Sequence, residues 1–253
     1  MPQFAANLSW LFTEVDFPER FAAASRAGFK GVECLFPYDF KAKDVANWLA
    51  DNDLKAVLIN APPGDWSAGE RGLGCLVGRE ADFRDSLGQA IEYALTIKCP
   101  KIHIMAGIEG EDAADIFFEN LNFAARTCGE AGLTGLIEPI NDMDMPGYFL
   151  TRPDQAMDIL ATVDSPHLGL QLDLYHAARM GYNPALAIDA CKGRIAHFQV
   201  AGVPDRFEPN VGKVDFSPLF NQIDALDYTG WIGCEYKPMT TTTEGLGWLS
   251  DYL

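Results

Sequence analysis

The feature that most constrains this sequence is a set of four short apolar runs, each with one oxygen-bearing side chain near its end. The clearest run covers residues 230–238, where Glu235 stands among apolar and small residues. A buried carboxylate is costly unless it is paired, protonated or bound to a cation. The corresponding residues of the runs 135–140, 168–176 and 195–202 are Glu138, Asp173 and Gln199. Successive members lie 35, 26 and 36 residues apart, so we expect one strand–helix unit between them and convergence on one divalent metal.

The same alternation of a strand-like run and a helix-like segment extends along the whole chain. Eight runs have the composition of buried strands: residues 4–9, 31–36, 55–60, 101–107, 135–140, 168–176, 195–202 and 230–238. Buried strands that alternate with helices indicate a parallel sheet, and 253 residues match the usual length of an eight-stranded barrel, about 250. The sequence therefore predicts one α/β domain, residues 1–253, folded as a (β/α)8 TIM barrel. A doubly wound open sheet is the alternative, but no G-x-G-x-x-G follows the first strand.

Composition restricts the partners of the protein. The formal net charge is −17, so the surface repels nucleic-acid phosphates and anionic lipids. We therefore expect no nucleic-acid and no membrane partner, and a locally positive site if the substrate is an anion. No apolar run approaches the roughly 18 residues that span a bilayer, and the first residues do not resemble a secretory signal. The six cysteines are scattered without a C-x-x-C pair, which favours reduced core thiols and a cytoplasmic location.

Each predicted strand carries a polar residue toward its C-terminal end. These residues are Asn7, Glu33, Asn60, His103, Glu138, Asp173, Gln199 and Glu235. Side chains at this end of a barrel line the active site. Either a structural hydrogen-bond network or a bound cation would satisfy such a ring, and spacing alone leaves both open. The oxygen-only set formed by the last four residues suits Mg²⁺ or Mn²⁺ better than zinc.

Further candidates for substrate binding lie in or near this ring. His176, at the end of the sixth predicted strand, is either a rim histidine or a hydrogen-bond donor to a substrate oxygen. Arg206 is either a solvated loop residue or a bidentate anchor for a substrate carboxylate. His103 and Glu70 complete the candidate set. Glu70 lies in the Gly- and Pro-rich loop 61–78, whose length favours an active-site lid.

Several segments together resemble the hydroxypyruvate isomerase family. They include APPGDW at residues 61–66, IEPIN at 137–141, QLDLYH at 171–176 and GWIGCEYKP at 230–238. The resemblance runs nearly from end to end of the chain, and the motifs are specific in combination. That family is one of the xylose-isomerase-like barrels, a group that also contains ketose 3-epimerases and endonuclease IV.

The resemblance implies one divalent metal, Mg²⁺ or Mn²⁺, held by four oxygen ligands: Glu138, Asp173, Gln199 and Glu235. It also implies that Glu138 and Glu235 act as the acid/base pair. The implied reaction is the reversible conversion of hydroxypyruvate to 2-hydroxy-3-oxopropanoate (tartronate semialdehyde) through a metal-stabilised enediolate. His176 and Arg206 would hold this small anionic hydroxy-keto acid substrate.

Four other functions stay open at this point. The same barrel could be a 2-oxo-tetronate isomerase or a ketose 3-epimerase. A phosphodiesterase similar to endonuclease IV is disfavoured, because that site uses several zinc ions and many histidines, whereas this chain has four histidines. A non-catalytic sugar-acid binding protein is disfavoured by the presence of both Glu138 and Glu235. The chain could also form a homo-oligomer.

Overall fold

The predicted strand runs form a closed barrel. A computed structural model describes residues 1–109, 113–250 and 252. Within these residues, eight parallel strands are hydrogen-bonded in sequence order, and the last strand closes on the first. The strands are β1 Gln3–Asn7, β2 Gly31–Cys34, β3 Lys55–Asn60, β4 Lys101–His103, β5 Thr134–Ile137, β6 Leu168–Asp173, β7 Ile195–Val200 and β8 Trp231–Cys234. The prediction of a (β/α)8 barrel is confirmed.

Helices cover the outer face of the barrel. In the described residues they are α1 Phe17–Arg26, α2 Ala42–Asp51, α3 Glu80–Ile97, α4 Ala114–Glu130, α5 Pro153–Val163, α6 Leu174–Arg179, α7 Pro184–Cys191, α8 Ser217–Asp224 and α9 Thr242–Gly245. Their starts follow local sequence signals, since Pro153 and Pro218 occupy the first turns of α5 and α8. At the start of α7, the Asn183 side chain accepts hydrogen bonds from the backbone N–H groups of Ala185 (2.9 Å) and Leu186 (3.2 Å).

Apolar side chains pack in two places. The larger cluster lies between strands and helices and includes Phe21 of α1, Phe117 of α4 and Leu160 of α5. A small separate cluster comes from the middle of β1, β3 and β5 and consists of Ala5, Val57, Leu58 and Leu136. In each of these three strands the polar residue follows two or three positions later. The polar ring therefore lies on the C-terminal side of this small apolar cluster.

Several strands end earlier than the sequence predicts. The sequence predicts a sixth strand that reaches His176, but the strand ends at Asp173, whose Oδ1 accepts a hydrogen bond from the Tyr175 N–H (2.8 Å) and starts α6. His176 therefore lies on a helix, one turn beyond the strand. The fourth strand ends at His103 instead of 107, because residues 105 and 106 bond to the 61–78 loop through Gly74 N–H and Cys75 N–H.

Two further expectations concern membranes and thiols. Among the described residues, no helix is both long enough and apolar enough to cross a membrane. All six cysteines lie in the described part of the chain, and each is a buried free thiol. The cysteines therefore lie in the core, as the sequence predicts.

Candidate active site

The predicted polar ring forms at the C-terminal end of the barrel. All eight of its residues are buried, and each lies within one residue of the end of its strand. A cavity of about 200 Å³ opens beside the ring, and four ring residues line it: Asn60, His103, Glu138 and Glu235. Because Glu138 and Glu235 share this cavity, a small molecule in it can contact both carboxyl groups.

One side of the ring, which we call the paired half, consists of Asn7, Glu33, Gln199 and Glu235. The Asn7 side-chain amide donates to Glu33 Oε1 (3.0 Å) and to Glu235 Oε2 (2.9 Å). The Gln199 amide donates to the same two oxygens, each at 2.7 Å. Two carboxylate oxygens and two amide nitrogens thus alternate around a closed square. Below it, His197 Nε2 lies 2.7 Å from Glu33 Oε2.

The opposite side of the site, the open half, consists of the ring residues His103, Glu138 and Asp173 together with Gln171 and His176 beside them. Glu138 lies between two imidazoles, with Oε2 3.5 Å from His103 Nδ1 and Oε1 3.9 Å from His176 Nε2. Several buried atoms here have no hydrogen-bond partner among the described residues: both His103 ring nitrogens, Gln171 Oε1 and Asp173 Oδ2. Buried polar atoms are rarely left unpaired, so these four are available to a ligand.

The tautomer of His176 follows from its neighbour Asn141. The Asn141 side chain accepts from the Asp144 N–H (2.8 Å), which turns its NH₂ group toward Asp144 Oδ2 (3.0 Å) and His176 Nδ1 (2.6 Å). His176 Nδ1 is then an acceptor. Burial and the nearby Arg206 charge lower the pKa of His176 well below its usual value. The neutral ring therefore carries its proton on Nε2, which faces Glu138 and Asp173 as a donor.

Arg206 brings a positive charge to the carboxyl groups. Its Nη2 donates to Glu235 Oε1 (2.6 Å) and lies 3.8 Å from Asp173 Oδ2. The guanidinium packs over the rings of Trp10 and Tyr175, at 4.6 and 5.0 Å from their centroids. These contacts leave its side chain only 15% exposed and hold the charge at the cavity. Arg206 thus lies at the cavity, and its contact with a substrate carboxylate stays a prediction.

Burial shifts the titration of the site. Burial raises the pKa of Glu138 well above its usual range, and the charges of Asp173 and Glu235 raise it further. Burial also raises the pKa of Asp173 to about 6 and that of Glu235 to about 8, while the Arg206 charge acts in the opposite direction on both. Burial lowers the pKa of His103 to about 3. Protonated carboxyl groups and neutral imidazoles therefore coexist near neutral pH, as acid/base catalysis requires.

The open half has the composition of a metal site. One atom from each of Glu138, Asp173 and His176 lies within 4.8 Å of the other two. Because His176 Nε2 carries a proton, the two carboxylates are the residues of this group that could hold an ion. Among the described residues, no group donates a hydrogen bond to Asp173 Oδ2, and its neighbours His176 Nε2 and Arg206 Nη2 lie 3.6 and 3.8 Å away. Carboxylate oxygens are preferred ligands of Mg²⁺ and Mn²⁺. The buried residues are therefore consistent with the predicted metal centre, in which Gln199 and Glu235 lie on the adjoining paired half.

Glu70 lies apart from the other predicted site residues. Its side chain forms an ion pair with Arg79 and accepts a hydrogen bond from the Asp65 N–H (2.6 Å). It is not among the residues that line the cavity, whereas Trp66 of the same loop is. Trp66 packs against Phe36, with ring centroids 5.8 Å apart. The 61–78 loop thus contributes an aromatic wall to the cavity. Glu70 bonds to Asp65 in the loop and to Arg79 directly after it instead of facing the cavity.

Sequence reasoning assigned no role to Gln171, Asn141 or Asp144. Gln171 lines the cavity and donates to Gln199 Oε1 (2.6 Å), so it connects the two halves of the ring. The sequence could have predicted this position, because Gln171 precedes Asp173 by two residues and side chains two apart on a strand share a face. Asn141 and Asp144 lie in a loop after β5, and no periodic signal marks them.

Comparison with known proteins agrees with this geometry. A family model described as "Xylose isomerase-like TIM barrel" matches residues 21–252. A 2-oxo-tetronate isomerase of Cupriavidus necator is 48% identical over 258 residues, covering 100% of this chain and 99% of that protein. A hydroxypyruvate isomerase of Escherichia coli is 42% identical over 257 residues and covers 100% of both proteins.

Solved structures agree as well. A Brucella melitensis protein named as an AP endonuclease of family 2 has a TM-score of 0.97 and 45% identity, covering 100% of this chain and 99% of that chain. An L-ribulose 3-epimerase with a TM-score of 0.78 covers 99% of this chain and 86% of that chain. At 20% identity, the epimerase is evidence of a common fold alone.

Proposed function

The chain belongs to the xylose isomerase-like TIM barrel family, and on that premise we propose that it isomerises a small 2-oxo acid, with a 2-oxo-tetronate as preferred substrate. The observation that carries the reaction class is the common cavity of Glu138 and Glu235, beside Arg206 and His176. Identity of 48% to a 2-oxo-tetronate isomerase, against 42% to a hydroxypyruvate isomerase, favours the four-carbon acid. Hydroxypyruvate, the expectation from the sequence, becomes the second candidate.

The two candidate substrates present the same reacting group. Each has a carboxylate at carbon 1, a carbonyl at carbon 2 and a hydroxyl at carbon 3, and the 2-oxo-tetronate has an additional hydroxymethyl group on carbon 3. Isomerisation moves the carbonyl to carbon 3. One proton leaves carbon 3, one is added to carbon 2, and the hydroxyl proton transfers to the former carbonyl oxygen. Substrate and product have the same atoms, so the reaction consumes no oxidant or reductant.

The predicted ligands Glu138, Asp173, Gln199 and Glu235 would hold a divalent cation. Such an ion supplies a Lewis acid that polarises the substrate's carbonyl and hydroxyl oxygens. Support for this centre comes from Asp173 Oδ2, which accepts no hydrogen bond from the described residues, and from the proximity of Asp173 to Glu138. Arg206, which reaches toward Asp173 and Glu235, counterbalances their charges when both are ionised.

The environments of the two glutamates assign them different parts in proton transfer. Glu235 accepts N–H donors from Asn7, Gln199 and Arg206, and hydrogen bonds to a carboxylate favour its ionised form. Burial raises the pKa of Glu235 in the metal-free site, whereas a bound divalent cation would favour its ionised form. With the cation bound, Glu235 would be the base that removes the proton from carbon 3. Burial and neighbouring charges raise the pKa of Glu138, which keeps its proton and delivers it to carbon 2. In the reverse direction the roles exchange.

The other cavity residues orient the substrate and exclude water. The His176 Nε2–H points into the space beside Glu138 and can donate to the oxygen that gains negative charge when carbon 3 is deprotonated. Arg206 presents a planar set of donors that matches a carboxylate. Phe36 and Trp66 form an apolar wall on the lid side of the cavity, which protects the deprotonated substrate from solvent.

A side-by-side assay tests the proposal. The protein is freed of metal with a chelator, reloaded with Mg²⁺ or Mn²⁺, and incubated with a 2-oxo-tetronate, hydroxypyruvate or D-fructose in deuterated water. We expect cation-dependent deuterium incorporation and product formation, with kcat/KM highest for the 2-oxo-tetronate. A higher value for hydroxypyruvate would establish the second candidate, and preference for D-fructose would indicate epimerisation. Absence of deuterium incorporation into all three compounds would contradict the proposed isomerase.

The name of the Brucella protein makes DNA an informative control. Duplex DNA with one abasic site is added under the same conditions. We expect no strand cleavage, because the chain has a net charge of −17 and four histidines, too few for a cluster of several zinc ions. Cleavage that requires Zn²⁺ would favour a phosphodiesterase instead.

A further inference from the structure

The square of hydrogen bonds in the paired half rests on Glu33, a residue that neither the isomerisation nor the predicted metal centre uses. Glu33 is 2% exposed and is not part of the cavity wall, so it does not contact a substrate. It nevertheless accepts from Asn7 and Gln199, two amides that also bond to Glu235. We propose that Glu33 is a positioning residue, which fixes the Gln199 side chain with its nitrogen toward Glu235 and its oxygen toward the open half.

The two ends of the Gln199 amide group differ in what they can bond to. The Gln199 nitrogen has two N–H bonds, and both are used, one on Glu33 Oε1 and one on Glu235 Oε2. When both carboxylates are ionised, as cation binding requires of Glu235, a reversed amide would place its oxygen against two carboxylate oxygens at 2.7 Å, and none of the three atoms would supply a proton. With only Glu235 as acceptor, one N–H would be unused and the preference would weaken. Glu33 therefore makes the orientation unambiguous.

The fixed orientation decides what Gln199 presents to the open half. Its Oε1 accepts from Gln171 Nε2 at 2.6 Å, and Gln171 belongs to β6, the strand that ends in Asp173. In the barrel register Gln199 lies directly opposite Asp173. The amide oxygen therefore projects to the side where Asp173 and Glu138 could hold a cation. An amide group binds Mg²⁺ or Mn²⁺ through its oxygen and not through its NH₂ nitrogen, so Glu33 makes Gln199 competent for this role without contacting the ion.

The backbone around Glu33 is shaped to admit its carboxyl group. Gly233 of β8 lies against this group, and a Cβ atom there would come within 2.4 Å of Glu33 Oε1. Real Cβ contacts are not this short, so any larger residue at 233 would displace the carboxylate. His197 Nε2, 2.7 Å from the other oxygen, holds the carboxylate from below. Both oxygens are therefore fixed, one by His197 and one by the two amides.

Cation affinity tests the proposal, which rests on the proposed function because it assumes the predicted metal centre. Isothermal titration of metal-free protein with Mn²⁺ compares wild type with Glu33→Gln, which keeps the shape of residue 33 but lets its own NH₂ group face the Gln199 amide. We expect Mn²⁺ binding about 10- to 100-fold weaker in Glu33→Gln. In a Gln199→Ala background, the same substitution should change affinity less than about twofold, because its effect passes through Gln199.

A matched control separates positioning from general damage to the fold. Glu208 is also buried, at 3% exposure, and its carboxylate accepts from the Met239 N–H (3.1 Å) outside the ring. Glu208→Gln should lower the melting temperature but leave Mn²⁺ affinity at the wild-type value. If Glu33→Gln does not fold, Glu33→Asp replaces it and should weaken Mn²⁺ binding to an intermediate degree.

The outcomes for Glu33 and for the isomerase are distinguishable. Wild-type Mn²⁺ affinity in folded Glu33→Gln, or an equal loss with and without Gln199, would overturn the positioning role. Absence of Mn²⁺ binding by wild type would overturn it too. If wild type binds Mn²⁺, Glu33→Gln binds it less tightly, and neither acid is turned over, the positioning role stands and the isomerase does not.

Discussion

The paired half and the open half of the polar ring differ in how completely their side chains are hydrogen-bonded. In the paired half, the carboxylates and amides of Asn7, Glu33, Gln199 and Glu235 all have partners within the ring. In the open half, both His103 nitrogens, Gln171 Oε1 and Asp173 Oδ2 have none among the described residues. A buried polar atom without a partner costs about 1–3 kcal/mol. The open half therefore carries an energetic cost that the paired half avoids.

This difference separates two kinds of residue that look alike in the sequence. A satisfied buried network makes a rigid arrangement, so the paired half is suited to hold Glu235 and Gln199 in fixed positions. Unsatisfied atoms bind a ligand with little competition from internal bonds, so the open half is suited to receive the cation and the reacting substrate oxygens. Two residues join the halves: Gln171 of the open half donates to Gln199, and Arg206 contacts both Asp173 and Glu235.

The largest expected effect comes from removing one carboxyl group from each half. Glu138→Gln and Glu235→Gln should each lower kcat by about 10²–10⁴-fold, because each variant loses one partner in proton transfer. Stability should distinguish them: Glu235→Gln weakens the bond to Arg206 and should lower the free energy of unfolding by about 1–3 kcal/mol. Glu138→Gln should lower it less, because the open half is not held together by this carboxyl group. Turnover assays and urea denaturation measure both quantities.

Glu130→Gln is the control for these two substitutions. Glu130 is exposed at the end of α4, on the outside of the barrel. Its replacement should change neither kcat nor stability appreciably. Turnover near the wild-type value in Glu138→Gln or Glu235→Gln would contradict the proposed acid/base pair, and equal stability losses would contradict the contrast between the halves.

A smaller effect is expected where the halves meet at Arg206. Arg206→Lys keeps the charge but removes the planar donor set and the packing on Trp10 and Tyr175. We expect kcat/KM to fall about 10- to 100-fold, mainly through KM, since carboxylate binding is common to ground and transition states. Arg84→Lys is the matched control, because Arg84 also packs on a ring, Phe123 at 5.1 Å, on the helical surface. A fall in kcat at constant KM would instead place Arg206 in the chemical step.

Much of the barrel could be predicted from sequence because its signals are local. Each strand is a short apolar run, and several helix starts carry a proline or a capping side chain such as Asn183. Strand ends were less predictable, since they depend on competition between partners. The run through residue 176 stops at Asp173 only because that side chain caps α6, and the fourth strand is shortened by bonds to a loop about 30 residues earlier.

The candidate site was predictable to the level of its ring residues, because one polar side chain in each apolar run is an evident anomaly. The hydrogen-bond partners of those residues could not be predicted. Glu33 meets His197 across 164 residues and Glu235 meets Asn7 across 228, so no sequence pattern distinguishes the paired half from the open half. Glu70 illustrates the converse, since a charged residue in a lid loop resembles a substrate ligand until its ion pair with Arg79 is visible.

The smallest effect is the pH dependence of stability in the metal-free protein. Burial raises the pKa of Glu235 to about 8, above that of an unfolded glutamate, so the folded state binds more protons between these values. The stabilisation of the folded state that comes from the raised pKa of Glu235 is fully present at low pH and is lost as pH rises toward 8. Burial lowers the pKa of His103, His176 and His197, whose contributions have the opposite slope but act below about 6.5, the pKa of unfolded histidine.

The clearest window for this measurement is therefore pH 6.5–8. With a chelator present, the free energy of unfolding of wild type should fall relative to Glu235→Gln by about 1 kcal/mol for each pH unit. Saturating Mn²⁺ should flatten the dependence, because a bound cation favours the ionised carboxylate and removes its proton at lower pH. A difference between wild type and Glu235→Gln that stays constant or grows with pH would mean that Glu235 is ionised throughout. The paired half would then hold a permanent carboxylate, and proton exchange in the metal-free site would be confined to the open half.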